Sequence, residues 1–222
     1  MGQRELVNQL VRNGTLKTRQ IIQGLEQTDR AYYVPKSLSA YAYEDTPQQI
    51  GFGATISAFH MHSHCLELLA PYLSYQHLKI LDIGCGSGYL TSAFARVFPQ
   101  AHVIGIDHIK ELVDLSRENI QRDDPSLLQN RIQLVLGDGR EGYPKEAPYN
   151  IIHVGAAVFE KETLDKLLSQ LSNGGKLLLP EADTGNQNLV SYDKDSHGHI
   201  TRTVLFGVRY IPLTSAHVQF RS

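Results

Sequence analysis

Three glycines at alternate positions, Gly84, Gly86 and Gly88, separate an apolar run of strand type, Ile80-Leu81-Asp82-Ile83, from a helical apolar pattern running from Tyr89 to Phe98. Glycine at such a junction lets bare backbone approach a ligand, because no Cβ intervenes and positive φ carries no steric cost. The spacing is G-x-G-x-G, whereas the dinucleotide fingerprint is G-x-G-x-x-G, so a pyrophosphate ligand is not expected. Asp107 closes a second apolar run, Val103-Ile104-Gly105-Ile106, about twenty residues further on. An acid at a strand tip can accept hydrogen bonds from both hydroxyls of a ribose, so turn and acid together predict an adenosine-containing cofactor. Asp138, in Gly137-Asp138-Gly139, could bond an adenine amino group or simply make a turn.

A second group of reactive side chains lies upstream. Ala54-Thr55-Ile56-Ser57 leads into a helix expected over roughly Ala58 to Tyr72, with Ser57 placed as its N-cap. His60, His62, His64 and Cys65 follow. On a helix only His60 and His64 share a face, and two ligands rarely close a zinc site, so no metal is expected. Nothing adjacent to Ser57 forms a Ser-His-Asp arrangement, which favours a positioning role over a nucleophilic one. Asp193-Lys194-Asp195-Ser196-His197-Gly198 has the look of a calcium loop but lacks its spacing and flanking helices, and reads as a polar turn.

These groups need a scaffold. Two N-terminal helices are expected, one over residues 3–13 ended by Gly14 and one starting near Thr18; they form a flank or lid. From Thr28 to Gly53 the pattern is irregular and rich in Tyr, Pro and Gly, a long loop that suits a ligand cover. Beyond Gly88 strands and helices alternate: strands at 103–106, 132–136, 151–154 and 176–179, helices at 110–119 and 162–171, and a turn at Asn173-Gly174-Gly175. Strands at 188–192 and 201–211 close the chain as a hairpin. The expectation is an α/β, Rossmann-like, doubly wound, mostly parallel sheet with helices on both faces, antiparallel C-terminal strands and an N-terminal helical flank. A single domain over 1–222 is expected, with helices and covering loop in 1–57 and the core in 58–222.

The formal charge is −2, from 21 basic and 23 acidic residues without a basic cluster, which argues against a nucleic-acid partner. Two cysteines, one inside the glycine turn, make no disulfide framework and suit a reducing compartment. No signal peptide and no apolar run of membrane-spanning length stands out, so a cytoplasmic protein without a membrane partner is expected, as a monomer.

The strand, G-x-G-x-G turn and following acids resemble the class I methyltransferases that use S-adenosylmethionine. More narrowly, the chain resembles the protein-L-isoaspartate O-methyltransferases, through Thr28-Asp29-Arg30, Pro47-Gln48-Gln49-Ile50-Gly51, Ala54-Thr55-Ile56-Ser57-Ala58, His60-Met61-His62, Asp82-Ile83-Gly84-Cys85-Gly86-Ser87-Gly88 and Gly105-Ile106-Asp107-His108. Further matches are Gly137 to Tyr143, Ala147 to Asn150, His153 to Ala157 and Ile211-Pro212-Leu213-Thr214. The resemblance implies transfer of a methyl group from S-adenosylmethionine to the side-chain or alpha carboxylate of L-isoaspartyl residues in damaged proteins and peptides, and leaves open whether D-aspartyl residues are acceptors too. The ester then cyclises to a succinimide, whose hydrolysis returns some normal aspartate. It implies Ser57 as the active-site serine and a cofactor site built from Ala54, Thr55, Ile56, Ser57, Asp82, Gly84, Gly86, Ser87, Gly88, Asp107, His108, Asp138, Gly139 and Thr214.

The chain departs from that pattern in three places. Phe59 stands where the family usually has Pro, Val158-Phe159 follows Gly155-Ala156-Ala157, and Glu181-Ala182-Asp183 replaces the usual Val-Gly-Pro after the fifth strand. All three are expected near the cleft. Two alternatives stay open: a methyltransferase of a small molecule, and a catalytically weak cofactor-binding adaptor.

Overall fold

The computed structural model describes residues 2–219; residues 1 and 220–222 of the expected domain lie outside the described residues. Seven strands form the central sheet: β3 (Leu78–Ile83), β4 (Ala101–Asp107), β5 (Ile132–Leu136), β6 (Tyr149–Val154), β7 (Leu171–Ala182), β8 (Gln187–Lys194) and β9 (Ile200–Gly207). They lie in the order β5-β4-β3-β6-β7-β8-β9, parallel through β7 and antiparallel at the C-terminal hairpin. The chain runs outward from β3 to β5 and then returns to start again at β6, so strand order reverses between β3 and β6. A crevice opens at such a reversal, outside the carboxyl ends of the strands.

Alternation along the strands sends side chains to two cores. Ile80, Val103, Ile132, Ile151 and Leu178 face one, and Leu81, Ile83, Ile104, Ile106, Ile152 and Leu177 face the other. Helix α4 (Tyr89–Val97) covers the first, through Ala93 and Phe94, and α7 (Lys161–Ser169) covers the second through Leu167. The remaining helices of the parallel half are α5 (Lys110–Asp123) and α6 (Pro125–Asn130).

The N-terminal helices α1 (Gln3–Arg12) and α2 (Arg19–Gln27) join the first core through Leu6, Val7, Leu10, Ile21 and Leu25. They are an integral layer rather than a loose lid. Gly24 allows α2 to cross α4 closely, since a Cβ there would lie 2.5 Å from Val97 Cγ2. At the start of α2, Glu67 of α3 (Phe59–Leu68) accepts from Lys17 N and Thr18 N at 2.8 and 2.9 Å and from Thr18 Oγ1 at 2.7 Å.

Four local expectations change. The segment from Thr28 to Gly53 is not one loop: it holds two 3₁₀ turns, Arg30–Tyr32 and Lys36–Tyr41, and strand β1 (Gln48–Gly51), which pairs with β2 (Ala54–Ile56). α3 starts at Phe59 with Ala58 as its N-cap, so Ser57 does not cap it, and it stops at Leu68 before a 3₁₀ segment containing Pro71. Asn173-Gly174-Gly175 lies within β7, across a register irregularity, instead of preceding it. The last strand ends at Gly207, and residues 208–213 then fold back toward the strand ends, Leu213 N donating to Ala157 O at 2.8 Å.

Candidate functional site

The crevice at the strand reversal is built first from backbone. Gly84, after β3, and Gly155, after β6, face one another: Gly155 N donates to Ile83 O at 2.8 Å, and a Cβ on Gly155 would press on Gly84 O at 3.2 Å. Gly84 and Gly86 hold φ of 76° and 53°, conformations that side chains resist. Gly88 plays a different part. It has φ of 82° and packs against Ser116 and Ile120, so it is the hinge between turn and α4 and does not line the crevice.

One cleft, spanning about 510 Å³ and partly open to solvent, is lined by Ala54, Thr55, Gly84, Gly86, Asp107, His108, Gly139 and Thr214, all of them residues singled out in the sequence. Ala156, Pro212, Leu213 and Gln219 are among its other walls. Asp107 is buried here. Its Oδ2 accepts from Gly86 N at 3.1 Å and its Oδ1 from Ile109 N at 3.2 Å, and the carboxylate keeps acceptor capacity for a ligand hydroxyl. Burial pushes this carboxyl above its ordinary range, against the pull of the Ile109, Gly86 and His108 backbone donors. His108 meets Gln219 Oε1 through Nε2 at 2.6 Å, and Gln219 Nε2 donates to Phe52 O at 2.9 Å, tying the cleft rim to the β1–β2 hairpin.

Asp138 lies beside this cleft but not in its lining. Its carboxylate accepts from Arg140 N at 3.0 Å and from Arg140 Nη2 at 2.6 Å, so it is engaged by Arg140, which holds it below its ordinary range. The neighbouring Gly139 supplies the wall. A Cβ there would collide with Ile83 Cγ2, which leaves glycine as the residue that fits.

A second hollow, spanning about 380 Å³ and partly open to solvent, continues under the glycine turn and is lined by Thr55, Ile56, Ser57, Asp82, Gly84, Gly86 and Ser87, joined by His62, Cys85, Tyr89 and His153. Asp82 is buried, accepting from Thr91 Oγ1 at 2.6 Å and pairing through Oδ1 with His153 Nδ1 at 2.8 Å. Burial alone would depress His153, but hydrogen bonds to Asp82 and Cys65 push it up to about 10, so imidazolium and carboxylate form a buried ion pair. His62 behaves oppositely. Burial, then the charges of Arg30, His153 and His60, hold it far below its ordinary value, and it stays neutral.

The third space is a wide, open groove of about 1250 Å³, lined by Asp45, Pro47, Thr55, Ser57, His60, Met61 and residues 207–212. Asp45 Oδ1 accepts from His60 N at 2.8 Å and meets His60 Nδ1 at 2.9 Å, fixing one wall. Thr55 and Gly155 border both this groove and the narrow cleft, and Ser57 stands where the groove meets the hollow under the glycine turn. Ser57 and Tyr210 both line this groove.

No site role falls to His153, Arg209, Tyr210 or Gln219 from the sequence. His153 stands in the matched stretch His153 to Ala157, and as a polar residue near the carboxyl end of a strand, two residues before Gly155, it was within reach. Tyr210 and Gln219 carry no local signal. Among the described residues no group of three or more His, Cys, Asp or Glu could hold a metal ion, and His60 and His64 stack edge to face with centroids 6.3 Å apart.

The departures expected near the cleft resolve differently. Phe59 occupies the first turn of α3 and is buried against Tyr89, ring centroids 6.4 Å apart. Glu181 lies in β7, where it is bonded by Tyr192 and by Arg202 Nη2 at 2.8 Å, outside all three spaces. Phe159 is exposed beside a separate depression shared with Thr214.

Comparison with known proteins agrees with this geometry. The family profile described as Protein-L-isoaspartate(D-aspartate) O-methyltransferase matches residues 1–218. Protein-L-isoaspartate O-methyltransferase 2 of Arabidopsis thaliana is 43% identical over 217 residues, covering 96% of this chain and 68% of that protein. Protein-L-isoaspartate O-methyltransferase of Triticum aestivum is 42% identical over 219 residues, covering 97% and 93%. A crystal structure from Plasmodium falciparum, named as a protein-L-isoaspartate O-methyltransferase in complex with S-adenosyl-L-homocysteine, superposes with a TM-score of 0.86 at 31% identity, covering 96% of this chain and 99% of that one. With full-length matches in sequence and fold, the chain belongs to the protein-L-isoaspartate(D-aspartate) O-methyltransferase family.

Proposed function

We infer that the chain, acting as one methyltransferase domain, transfers a methyl group from S-adenosylmethionine to the free carboxylate of L-isoaspartyl residues in damaged proteins and peptides, the first step of their repair through a succinimide. The observation that carries this is the junction at Ser57. A narrow, glycine-walled cleft with a buried acid suits an adenosine-bearing donor, and a wide open groove suits a polypeptide acceptor. A small-molecule methyltransferase needs an enclosed acceptor pocket, which the breadth of the groove disfavours.

S-adenosylmethionine supplies an electrophilic methyl on a sulfonium sulfur, and its fit here rests on the Gly84, Gly86 and Gly155 cradle and the remaining acceptor capacity of Asp107. The acceptor carboxylate is already ionised at neutral pH, with an ordinary pKa of about 4, so no general base is needed. The protein has only to align the carboxylate oxygen and exclude water, and orientation can be worth about 7 kcal/mol or more. We assign the alignment to Ser57, whose hydroxyl donates to the acceptor carboxylate from the groove side. Asp107 holds the ribose, and Thr55, Gly84 and Gly86 face the amino-acid portion. A cytoplasmic monomer is part of this reading; the cysteine-poor composition suits a reducing compartment, and no helix among the described residues is long and apolar enough to cross a membrane.

Methyl incorporation from labelled S-adenosylmethionine into an isoaspartyl peptide, against its aspartyl counterpart, tests the reading. Tight cofactor binding without transfer to either peptide would favour an adaptor. Ser57→Ala should lower kcat by about tenfold, the loss of one hydrogen bond to a charged acceptor, and leave S-adenosylhomocysteine affinity within a few fold.

A further inference from the structure

The chain leaving β9 lines the wide groove with residues 207–212, and one side chain holds this wall in register. Gln187, at the start of β8, grips the backbone of Tyr210 on both sides: Tyr210 N donates to Gln187 Oε1 at 2.6 Å, and Gln187 Nε2 donates to Tyr210 O at 3.1 Å. Val208 N donates to Gln187 O at 2.9 Å, and beyond the clamp Ala157 N donates to Ile211 O at 2.8 Å. Arg209 therefore sits between two fixed neighbours. Val208 and Tyr210 are half-buried, whereas Arg209 is exposed.

Among the described residues Arg209 makes no hydrogen bond and no ion pair, although its side chain helps to line the groove. The acid of the groove, Asp45, is by contrast engaged, accepting from His60 N at 2.8 Å and meeting His60 Nδ1 at 2.9 Å. The charge left free in the groove is thus a guanidinium, which stays protonated at any working pH. Its planar fork matches a carboxylate, and because its backbone is fixed beforehand, pairing has only the side chain to order. We propose that Arg209 is a specificity-determining residue: it pairs with an acidic side chain flanking the isoaspartyl residue, so that damaged segments carrying Asp or Glu near the acceptor are preferred, and the Gln187 clamp holds the arginine in place for that contact. This rests on the wide groove being the acceptor site, as inferred above.

The test is methyl transfer by the full chain to isoaspartyl peptides with amidated C-termini, which removes the terminal carboxylate as a competing partner. Each peptide carries a single Glu, Gln or Lys at successive positions on either side of the acceptor, and wild type is compared with Arg209→Gln and Arg209→Glu. For wild type, Glu at one position should lower peptide KM by about 2- to 5-fold relative to Gln, the worth of an exposed ion pair, and Lys there should raise it by a similar factor. The change should fall on KM with kcat held, because a flanking contact binds ground and transition states alike. Raising salt from about 0.05 to about 0.5 M should bring the preference toward unity. Arg209→Gln should abolish the preference and Arg209→Glu should reverse it in favour of Lys. Gln187→Leu, which keeps the cation but releases its backbone, should weaken the preference, and an intact one would overturn the part given to Gln187. Transfer to the Gln peptide with no charge preference, or a preference that survives in Arg209→Gln, would overturn the proposal and leave the functional reading standing. Absence of wild-type transfer even to the Gln peptide would overturn that reading, and the proposal with it.

Discussion

His153→Gln should destabilise the protein by an amount that shrinks as pH rises. His153 and Asp82 are both buried, 2.8 Å apart, and the second Asp82 oxygen already takes the Thr91 hydroxyl. Removing one partner of such a pair leaves an uncompensated charge and typically costs about 3–5 kcal/mol. The titration leads to a similar figure. An unfolded imidazole ionises near pH 6.5 and the folded one at about 10. At about 1.4 kcal/mol per pH unit this sets a ceiling of about 5 kcal/mol. Because the folded value is the higher one, the contribution is complete below about pH 6.5 and disappears as pH climbs toward about 10. Glutamine keeps a donor for Asp82 but cannot titrate. Between about pH 6.5 and about pH 8, therefore, wild type should lose about 1–2 kcal/mol of its advantage over the variant. For a chain of this size that narrows the gap in Tm by about 3–6 °C, readable by thermal denaturation of both proteins in matched buffers. A gap that stays constant across the window would sink the ion-pair assignment. It would mean that His153 is neutral and contributes through packing on Phe94, whose ring centroid lies 5.9 Å away.

Asp107→Asn should weaken S-adenosylhomocysteine binding by about 10- to 100-fold, the worth of hydrogen bonds to a charged acceptor. Since burial raises this carboxyl and ligand hydroxyls favour its ionised form, wild-type affinity should also fall as pH drops through the raised value. Calorimetry across pH checks both, and an acid-side decline that persists in the variant would assign the titration elsewhere. Glu67→Ala removes three hydrogen bonds from the start of α2 and should cost about 1–3 kcal/mol by urea denaturation, with faster amide exchange in α1 and α2. Exchange that speeds up only in α3 would show that Glu67 serves its own helix.

The parts of the fold legible in the sequence are those specified by short-range signals. At Ile80 to Leu90 the hydrophobic period changes from strand to helix across glycines, and the structure places β3, a turn with φ of 76°, 53° and 82°, and α4 there. The β1–β2 hairpin escaped because its strands are four and three residues long, too short for alternation to register. Its turn also hides, since Phe52 adopts φ of 54° between Gly51 and Gly53 where a polar residue would have advertised it. Local capping rules put Ser57 one position too close to α3. They weigh only the helix backbone, whereas Ser57 lines a groove together with Tyr210, more than 150 positions away in the chain. The same distinction runs through the site. Its donor side is walled largely by backbone and by the acid that ends β4, so its residue types betray it. Its acceptor side exists only once the chain beyond β9 folds back across Ala157 and meets the stretch before α3. A groove assembled from opposite ends of the chain has no periodicity or spacing of its own, and for that reason its Tyr210 wall emerges only when the sheet is complete.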